Sequence, residues 1–337
     1  MNEKTNILLT GASGTVGYEV LLQLCLQLNK YNVTIIIKNT SKNKRCFKSY
    51  NKKINIVYGD ITDESIIKKV CINQHVVIHL AALIPPVADD HPDLAYKVNF
   101  TGTQHLVNSL QQYAPDAFLL FSSSVAVYGD RLADHNIKVG DLLTAGVGDV
   151  YAQTKIEAEQ MIMASTINWS IFRLTAIMGK HKMSRLMFHM PLETHMEIAT
   201  PKDTARAFVN AIDKRVLLSK KIFNLGGGVQ MRLTYEALLS RSFDVFGLGP
   251  LDFPEYSFAK KNFHCGYYID GDDLEQIVSF REDNLESYFD NMRRSFSPAK
   301  RFMASLLKKM IKRRLLKQSE PLKAMVKNDE VQIAHFF

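Results

Sequence analysis

The feature that most constrains the fold is a glycine-rich loop that joins an apolar strand pattern to an apolar helix pattern near residue 10. The strand pattern covers 6–10, and a helix pattern with Val20, Leu21 and Leu24 on one face follows the loop. Glycine allows a tight turn and a close approach of backbone N–H groups to a phosphate, and the helix N-terminus adds its positive dipole end. The loop therefore predicts a dinucleotide-binding turn. The residues expected to contact the pyrophosphate are Gly11, Ser13, Gly14, Thr15, Val16 and Gly17.

Short apolar runs alternate with helical patterns through the first half of the chain. Because the runs are continuous, they indicate parallel strands with helices on both faces, built from βαβ units. The sequence thus predicts an α/β fold, a Rossmann-type doubly wound parallel sheet with a smaller C-terminal substrate lobe. Strands are predicted at 6–10, 33–37, 54–58, 76–80, 117–122, 169–173 and 221–225. Helices are predicted to begin near Gly14, Asp63, Pro92, Asp149 and Asp203.

The regular alternation ends after Arg173, and this change of pattern sets the expected domain boundaries. The expected segments are a dinucleotide-binding Rossmann domain at 1–178 to which 201–230 return, a substrate lobe at 179–200 and 231–292, and a basic amphipathic tail at 293–337.

The net charge of +8 comes from one segment of the chain. Ten Lys or Arg and no Asp or Glu lie between 291 and 319, so the rest of the chain is nearly neutral. We find no secretory leader and no apolar run of about 20 residues, and the four cysteines lie far apart, so we expect a cytoplasmic protein with reduced cysteines. The histidines at 181, 189 and 195 do not stand at metal-ligand spacing, so no metal site is expected.

The tail contains an amphipathic helix pattern at 298–317. Lys and Arg fill most positions between its apolar residues, which are Phe302, Met303, Leu306, Leu307, Met310, Ile311 and Leu315. Such a helix can lie in an anionic membrane interface, pack its apolar stripe on the protein body, or pair with another subunit. Nucleic-acid binding is not expected, because the segment lacks interleaved aromatic residues and no nucleic-acid-binding fold accompanies it.

A tyrosine and a lysine share one helix face shortly after the predicted fifth strand. Tyr151 and Lys155 are four residues apart, and the strand before them ends at Ser122–Ser124, where ligands bind in open parallel sheets. A nearby ammonium group favours the phenolate and lowers the pKa of a tyrosine from about 10 toward neutrality. The pair therefore predicts a general acid/base that moves a proton while a hydride moves between a nicotinamide and a substrate carbon.

Several motifs in a fixed order give the chain a family resemblance. Besides the glycine loop, they are Gly59-Asp60-Ile61, His79-Leu80-Ala81-Ala82, Asn99-Phe100-Thr101-Gly102-Thr103, Ser122-Ser123-Ser124 with Val127-Tyr128-Gly129, Tyr151 with Lys155, and Asp203-Thr204-Ala205-Arg206-Ala207. Over about residues 5–290 the chain resembles the extended short-chain dehydrogenase/reductases, the NAD-dependent epimerase/dehydratase family.

The resemblance implies roles for individual residues. Ser124 would hydrogen-bond the reacting oxygen, and Lys155 would also hold the ribose hydroxyl groups. The other residues that it assigns to the cofactor are Asp60 at the adenine, Ala81 and Ala82 at the pyrophosphate and nicotinamide, and Ile61, Asn99 and Ser122. Alternatives stay open, with Ser124 as a strand-end cap, Asp60 as a helix N-cap and Asn99 as a helix-packing residue. Family members often dimerise through the helix that carries Tyr151 and the helix before it.

Departures from the family pattern restrict the reaction, the cofactor and the substrate that we expect. Val125-Ala126 replace the Asp-Glu pair of the nucleotide-sugar dehydratases, which argues against a 4,6-dehydratase. The second strand ends in Lys38 instead of the acid that accepts a ribose 2′-hydroxyl, so NADP is favoured while NAD stays open. The short stretch from Gly179 to Asp203 puts a nucleotide-sugar substrate in doubt.

Taken together, the sequence predicts an NAD(P)-dependent oxidoreductase that acts on a small molecule, transferring a hydride at a carbonyl or alcohol carbon. One alternative is a nucleotide-sugar C4 epimerase. An alternative of another class is a non-catalytic scaffold that binds a dinucleotide or associates with membranes.

Overall fold

The computed structural model describes residues 3–179, 183–261 and 263–337. The strands are β1 (Thr5–Thr10), β2 (Tyr31–Ile37), β3 (Asn55–Tyr58), β4 (Val76–His79), β5 (Phe118–Ser124), β6 (Asn136–Ile137), β7 (Asn168–Leu174), β8 (Ala176–Ile177), β9 (His195–Ala199), β10 (Lys221–Leu225), β11 (Arg232–Thr234) and β12 (Tyr267–Tyr268). The helices up to the substrate lobe are α1 (Thr15–Cys25), α2 (Ser41–Phe47), α3 (Glu64–Cys71), α4 (Val87–Asp90), α5 (Pro92–Tyr96), α6 (Gly102–Tyr113) and α7 (Val150–Ala164). The later helices are α8 (Pro201–Ala211), α9 (Arg215–Leu218), α10 (Tyr235–Phe246), α11 (Asp272–Val278), α12 (Leu285–Ser295), α13 (Pro298–Leu306), α14 (Lys308–Leu316), α15 (Glu320–Lys327) and α16 (Glu330–Phe336).

Within the described residues, seven strands form one parallel sheet in the order β10-β7-β5-β4-β1-β2-β3. The chain moves outward from β1 to β3 and then crosses to the other side of β1 with β4. Such a reversal creates a crevice at the carboxyl ends of the central strands, where ligands bind. The predicted Rossmann-type sheet is therefore confirmed, and the expected binding turn lies at this crevice.

Helices cover both faces of the sheet, which is why its strands read as continuous apolar runs. Successive residues of β1 enter different layers, with Ile7 and Leu9 in one core and Leu8 in the other. The first core includes α1 and α8, and the second includes α3, α6 and α7. Both faces of each central strand are thus buried, as in other doubly wound sheets.

A buried histidine connects the central strands beside the crevice. Nδ1 of His79, at the end of β4, lies 2.6 Å from the Thr10 hydroxyl, and Nε2 lies 2.9 Å from the Thr103 hydroxyl. Burial lowers the pKa of His79 to about 3, so the ring stays neutral. It therefore links β1, β4 and α6 without placing a charge beneath the site.

A third core belongs to the smaller lobe. The strands β8, β9 and β11 form a three-stranded sheet, and β12 pairs with β6. In the middle strand the Glu197 carboxylate is fully buried and accepts hydrogen bonds from Arg232 at 2.8 Å and from the Gly228 backbone N–H at 2.8 Å. A buried carboxylate needs such partners, and these fix the middle of β9 relative to the start of β11.

The prediction of a single helix over 298–317 is wrong. Two helices, α13 and α14, meet at Leu307, where the backbone leaves the helical region (ψ 8°). The hydrogen bonds from Leu307 N to Met303 O and from Ile311 N to Leu307 O continue across this point, so the break is a bend. Proline and glycine, the usual causes of a bend, are absent from it.

The two faces of this bent segment have different surroundings. Leu315 is buried in the core of the smaller lobe, and Ala304 and Ile311 pack against that core. The opposite stripe is 41–63% exposed and consists of Phe302, Met303, Leu306, Leu307 and Met310. Among the described residues, no helix is long and apolar enough to cross a membrane.

Candidate active site

The glycine loop has a backbone geometry that side chains would obstruct. Gly11 has a φ of +74°, and a Cβ there would lie 2.6 Å from the Ala81 nitrogen. A Cβ on Gly17 would lie 2.1 Å from the Gly11 carbonyl oxygen. The helix α1 begins after Gly14, which supplies no side-chain cap to its first N–H groups. These N–H groups are therefore available to an anion at the positive end of the helix.

The hydroxyl groups of Ser124 and Tyr151 meet at the end of β5. Ser124 hydrogen-bonds the Tyr151 side chain, and its hydroxyl oxygen also accepts the Ala126 backbone N–H at 3.2 Å. Ser124 therefore caps the strand end, and its role toward a reacting oxygen stays a prediction. The N-cap carboxylate of Asp149 starts α7, the helix that carries Tyr151, by accepting the Ala152 N–H at 2.8 Å.

The predicted lowering of the Tyr151 pKa is wrong. Burial raises this pKa to about 12; the Ser124 hydrogen bond opposes the rise, and the Asp149 carboxylate adds to it. The Lys155 Nζ lies 6.0 Å from the Tyr151 ring centroid, and the pKa is raised despite this ammonium. The phenol is therefore protonated at neutral pH and has a proton to donate.

Lys155 is held beneath the site by a backbone carbonyl. Its Nζ donates to the Ser122 carbonyl oxygen at 2.7 Å and lies 4.7 Å from the Phe121 ring centroid. Only 2% of the residue is exposed, and this burial lowers its pKa to about 7, although the Glu159 carboxylate opposes the shift. Its charge thus changes near neutral pH.

A buried ion pair lies one helical turn beyond Lys155. The Glu159 carboxylate accepts hydrogen bonds from two nitrogens of Arg173. The donor Nε lies at 3.0 Å and the donor Nη2 at 2.7 Å. Arg173 also donates to the Tyr128 hydroxyl at 2.8 Å, and this hydroxyl donates to Asn224 at 2.7 Å. Each buried polar group has a partner, so α7 is bound firmly to the sheet.

The residues expected at the adenosine lie at the ends of β2 and β3. Nζ of Lys38 is 3.4 Å from Oδ2 of Asp60, and Oδ1 of Asp60 accepts the Thr62 N–H and hydroxyl at 3.0 Å. Partial burial raises the pKa of Asp60, but the Thr62 hydrogen bonds and Lys38 outweigh it, so the pKa is lowered. Ile61 is buried against Gly102. These residues flank the crevice, but they do not line the cavity that contains Tyr151 and the glycine loop.

Other expected cofactor residues position the backbone around the crevice. The Asn99 side chain accepts the Leu83 N–H at 2.7 Å and donates to the Leu83 carbonyl at 3.0 Å and to Thr154 at 3.1 Å. Both polar atoms of the Asn99 side chain are thus hydrogen-bonded to other residues of the protein. The Ser122 hydroxyl donates to the His79 carbonyl at 3.0 Å, and the Ala81 N–H donates to Thr10 at 3.1 Å.

One cavity of about 1110 Å³ brings the glycine loop together with the candidate catalytic residues. Among the predicted residues, it is lined by Gly11, Gly14, Thr15, Val16, Gly17, Ala82, Ser122, Ser124, Tyr151 and Lys155. Ser123 also lines it, and its buried hydroxyl has no hydrogen-bond partner in the described structure. A buried hydroxyl without a partner costs stability unless a ligand pairs with it. The dinucleotide therefore fits the donors and the open turn that the cavity presents.

Comparisons with known proteins agree with this geometry. A model of the 3-beta hydroxysteroid dehydrogenase/isomerase family matches residues 8–174. A D-erythronate dehydrogenase of Haemophilus influenzae is 26% identical over 136 residues, which are 38% of this chain and 40% of the relative. A 3 beta-hydroxysteroid dehydrogenase/Delta 5-->4-isomerase of Mycobacterium tuberculosis is 26% identical over 168 residues, 46% of this chain and 44% of the relative. The chain thus matches less than half the length of these two relatives.

A solved structure shares the fold. The UDP-glucuronic acid 4-epimerase from Bacillus cereus, in complex with UDP-glucuronic acid and NAD, matches with a TM-score of 0.69 and 19% identity. The match covers 87% of this chain and 100% of that chain. The matching family model and the ordered motifs around one cavity decide the family. The chain belongs to the extended short-chain dehydrogenase/reductases.

Some residues around the cavity of this extended short-chain dehydrogenase/reductase could not be predicted from a sequence motif. Asp149 lies 3.3 Å from His264, and Arg185 and His189 contact Glu320. The helix α16 adds further lining residues. These contacts join segments more than 100 residues apart without a motif or a periodic pattern, so sequence reasoning missed them.

Two of the three histidines that the sequence analysis excluded as metal ligands pair with other side chains. His189 pairs with Glu320 at 2.7 Å, and His195 stacks on His135 with ring centroids 4.1 Å apart. His181 lies outside the described residues. Within those residues, no group of three or more His, Cys, Asp or Glu side chains has the arrangement of a metal site.

The buried Lys155 makes a prediction for stability against pH. The pKa of Lys155 is about 7 in the folded chain, whereas an unburied lysine has a pKa of 10.5. The unfolded chain therefore binds more protons than the folded chain between pH 7 and pH 10.5. Stability therefore rises with pH in this window, at up to about 1.4 kcal/mol per pH unit. Urea unfolding at pH 7 and pH 9.5 should show this rise in the wild type and a smaller one in Lys155→Met. Equal rises would contradict the prediction, and the exposed-site control Lys69→Met should behave like the wild type.

Proposed function

We propose that this protein is an NAD(P)-dependent oxidoreductase that interconverts a ketone and a secondary alcohol. The observation that carries the proposal is the meeting of Ser124, Tyr151 and Lys155 in the cavity that also contains the glycine loop. A dinucleotide on the loop would extend toward these side chains along the carboxyl edge of the sheet. The dehydrogenases among the relatives support this reaction class.

The side chains suit proton transfer to a carbonyl oxygen. Tyr151 is protonated at neutral pH, so in the reducing direction its phenol donates the proton that the new alcohol requires. Ser124 lies against the same hydroxyl and can orient the substrate oxygen. Lys155, fixed by the Ser122 carbonyl, would bind the ribose hydroxyl groups. The bound nicotinamide supplies the hydride, and the oxidation of an alcohol returns both the hydride and the proton.

Replacing the acid tests this reaction. We expect Tyr151→Phe to lower kcat about 10²–10⁴-fold, the usual contribution of a positioned acid, while NADPH or NADH binding persists. The measurement is cofactor absorbance with a panel of ketones and alcohols, with cofactor binding followed by fluorescence. Tyr113→Phe, on the surface of α6, is the control and should keep wild-type activity. If Tyr151→Phe has the wild-type kcat, the acid is another group and the proposal fails.

The C4 epimerase remains the second reading within the same family. An epimerase keeps its dinucleotide through the cycle, whereas a reductase exchanges it. Denaturing the purified protein and analysing the released nucleotides distinguishes the two readings, because stoichiometric NAD in the supernatant would favour the epimerase. The solved UDP-glucuronic acid 4-epimerase supports the shared fold only.

For the cofactor, we propose NADP. Lys38 stands at the end of β2, and Lys42, Lys44 and Arg45 follow it on the same exposed segment. Asp60 pairs with Lys38, so a 2′-phosphate would have to compete with this carboxylate for the ammonium group.

Lys38→Ala tests the cofactor assignment. We expect the NADPH dissociation constant to rise about tenfold, which corresponds to the loss of one charge-assisted contact, with little change for NADH. Fluorescence titration with both cofactors measures the two constants. Lys30→Ala, in the turn before β2, is the control. Equal effects of Lys38→Ala on both cofactors would assign the site to NAD.

We further propose that α13 and α14 contact an anionic membrane surface. The exposed stripe of Phe302, Met303, Leu306, Leu307 and Met310 has no partner in the described part of the chain. Around it, Lys300, Lys308, Lys309, Arg313 and Arg314 form no ion pair with described residues. Apolar burial combined with attraction to anionic lipids is the usual basis of interfacial binding.

A flotation assay with the full chain tests the membrane contact. We expect co-flotation with vesicles of phosphatidylcholine and phosphatidylglycerol, and at least about tenfold less with Phe302→Ser/Leu306→Ser, which removes two large apolar side chains. Val216→Ser/Val229→Ser, which changes exposed apolar residues elsewhere, is the control and should float like the wild type. If the stripe variant floats equally well, the membrane proposal fails. If it instead converts a dimer into a monomer by light scattering, the stripe is a subunit interface.

A homodimer that pairs α7 and α6 of two chains is a separate proposal, which rests on the family resemblance alone. Light scattering of the wild type tests it.

A further inference from the structure

A second segment of the chain, besides the tail, is strongly basic. Between Glu19 and Asp60 there are eight Lys or Arg residues and no Asp or Glu. Together with the ten basic residues of the tail they exceed the net charge of +8, so the remainder of the chain is acidic overall. Seven of the eight lie between β2 and β3 and are exposed, namely Lys38, Lys42, Lys44, Arg45, Lys48, Lys52 and Lys53. An unbalanced positive charge thus lies at one edge of the parallel sheet.

The helix α2 carries three of these cations and is fixed beside the crevice. The Thr40 hydroxyl caps α2 by accepting the Asn43 N–H at 3.1 Å, and the Asn43 side-chain amide donates to the Lys38 carbonyl at 2.8 Å. Phe47, the last residue of α2, is buried and packs on the Tyr18 ring of α1, with ring centroids 6.2 Å apart. Both ends of α2 are thus anchored, and its first turn lies at the carboxyl end of β2, where the crevice opens.

The cations of α2 have no carboxylate partner. They are Lys42, Lys44 and Arg45. None of the three forms an ion pair with a described residue, whereas Lys38 pairs with Asp60. The Lys44 Nζ lies 5.8 Å from the ring centroid of Tyr58, the last residue of β3, so this ammonium group faces the end of the sheet that carries the crevice. The field of such unpaired surface charges is reduced only by solvent and salt.

The ligand expected in the crevice is an anion. The pyrophosphate of a nicotinamide dinucleotide is negatively charged, and a 2′-phosphate adds further negative charge. Cations at the mouth of a cleft raise the local concentration of such a ligand and increase its association rate by about 10- to 1000-fold in strongly steered cases. Charges at the rim of a binding site act on the association rate and on its salt dependence more than on dissociation. The position and the sign of the α2 charges therefore suit the capture of the dinucleotide.

We propose that α2 steers the dinucleotide into the crevice. Lys42, Lys44 and Arg45 attract the phosphate groups before contact, while Lys38 stays the residue that we propose to contact the bound cofactor. This inference rests on the proposed function, because it concerns the dinucleotide of the oxidoreductase. It assigns to α2 an effect on the association rate constant, kon, and none on the dissociation rate constant, koff.

The opposite edge of the sheet offers a matched set of control cations. Lys4, Lys52 and Lys53 are exposed and line a groove with Tyr31 at the amino end of β2. The seven residues of β2 separate this groove from the crevice by about 20 Å, at about 3.3 Å per residue. This separation is about twice the Debye length of about 10 Å at 0.1 M salt. Charges in the groove should therefore have little effect on an anion that approaches the crevice.

Stopped-flow fluorescence of NADPH and NADH, mixed with the full chain, measures both rate constants. At about 0.1 M salt, Lys42→Gln/Lys44→Gln/Arg45→Gln should lower kon for NADPH about fivefold and leave koff unchanged. The decrease should be smaller for NADH, which lacks the 2′-phosphate, and should disappear at about 1 M salt, where the Debye length is about 3 Å. Lys4→Gln/Lys52→Gln/Lys53→Gln removes the same charge and should keep the wild-type kon. Thermal melts verify that both variants are folded.

The outcomes separate this inference from the proposed function. If the α2 variant keeps the wild-type kon, or if the control variant lowers kon equally, steering by α2 is wrong. A loss of affinity through koff alone would make the α2 side chains contacts of the bound cofactor and would also overturn the inference. A chain that binds both cofactors with the expected rates but transfers no hydride would overturn the oxidoreductase proposal alone. A chain that binds neither cofactor would overturn both.

Discussion

The buried ion pair between Glu159 and Arg173 is the interaction on which the site depends. It joins the helix that carries Tyr151 and Lys155 to the strand β7, and through Tyr128 and Asn224 it reaches the strand β10. Asn224 in turn donates to Asp270, which precedes α11. Removing one partner of such a pair leaves an uncompensated charge in the core, at a cost of about 3–5 kcal/mol. The position of α7, which carries the proposed acid, is therefore tied to residues from four distant segments of the chain.

Burial has opposite consequences for the protonation of neighbouring groups. It favours the neutral form in every case, so Tyr151 keeps its proton while Lys155 and His79 lose theirs more readily. The region under the crevice is thus poor in charge, apart from the paired Glu159 and Arg173. An electrostatic interaction with a bound ligand would be stronger here than at the surface, since water is largely excluded.

The sequence predicts the parts of the molecule that are determined locally. The strands follow from apolar runs, the binding turn follows from glycines 11, 14 and 17, and the pairing of Tyr151 with Lys155 follows from helical spacing. The direction of the Tyr151 pKa shift could not be predicted, because it depends on how deeply long-range packing buries the phenol. The same holds for the partner of Lys38, since Asp60 reaches it only through the pairing of β2 with β3. The contacts of α15 and α16 with the lobe, Glu320–His189 and Phe336–Lys260, could not be predicted either, because His189 and Lys260 lie in irregular segments without periodicity.

The position of α13 and α14 links the orientation of the cavity to any surface that these helices contact. Leu315 is buried in the core of the smaller lobe, and Ser319, only four residues later at the start of α15, donates a hydrogen bond to the Ser257 carbonyl. The exposed apolar stripe and the C-terminal residues that line the cavity are therefore anchored to the same lobe, a few residues apart in the chain. Any surface that holds the stripe would also fix the direction in which the cavity faces. A contact made outside the active site thus determines the side from which a ligand can approach it.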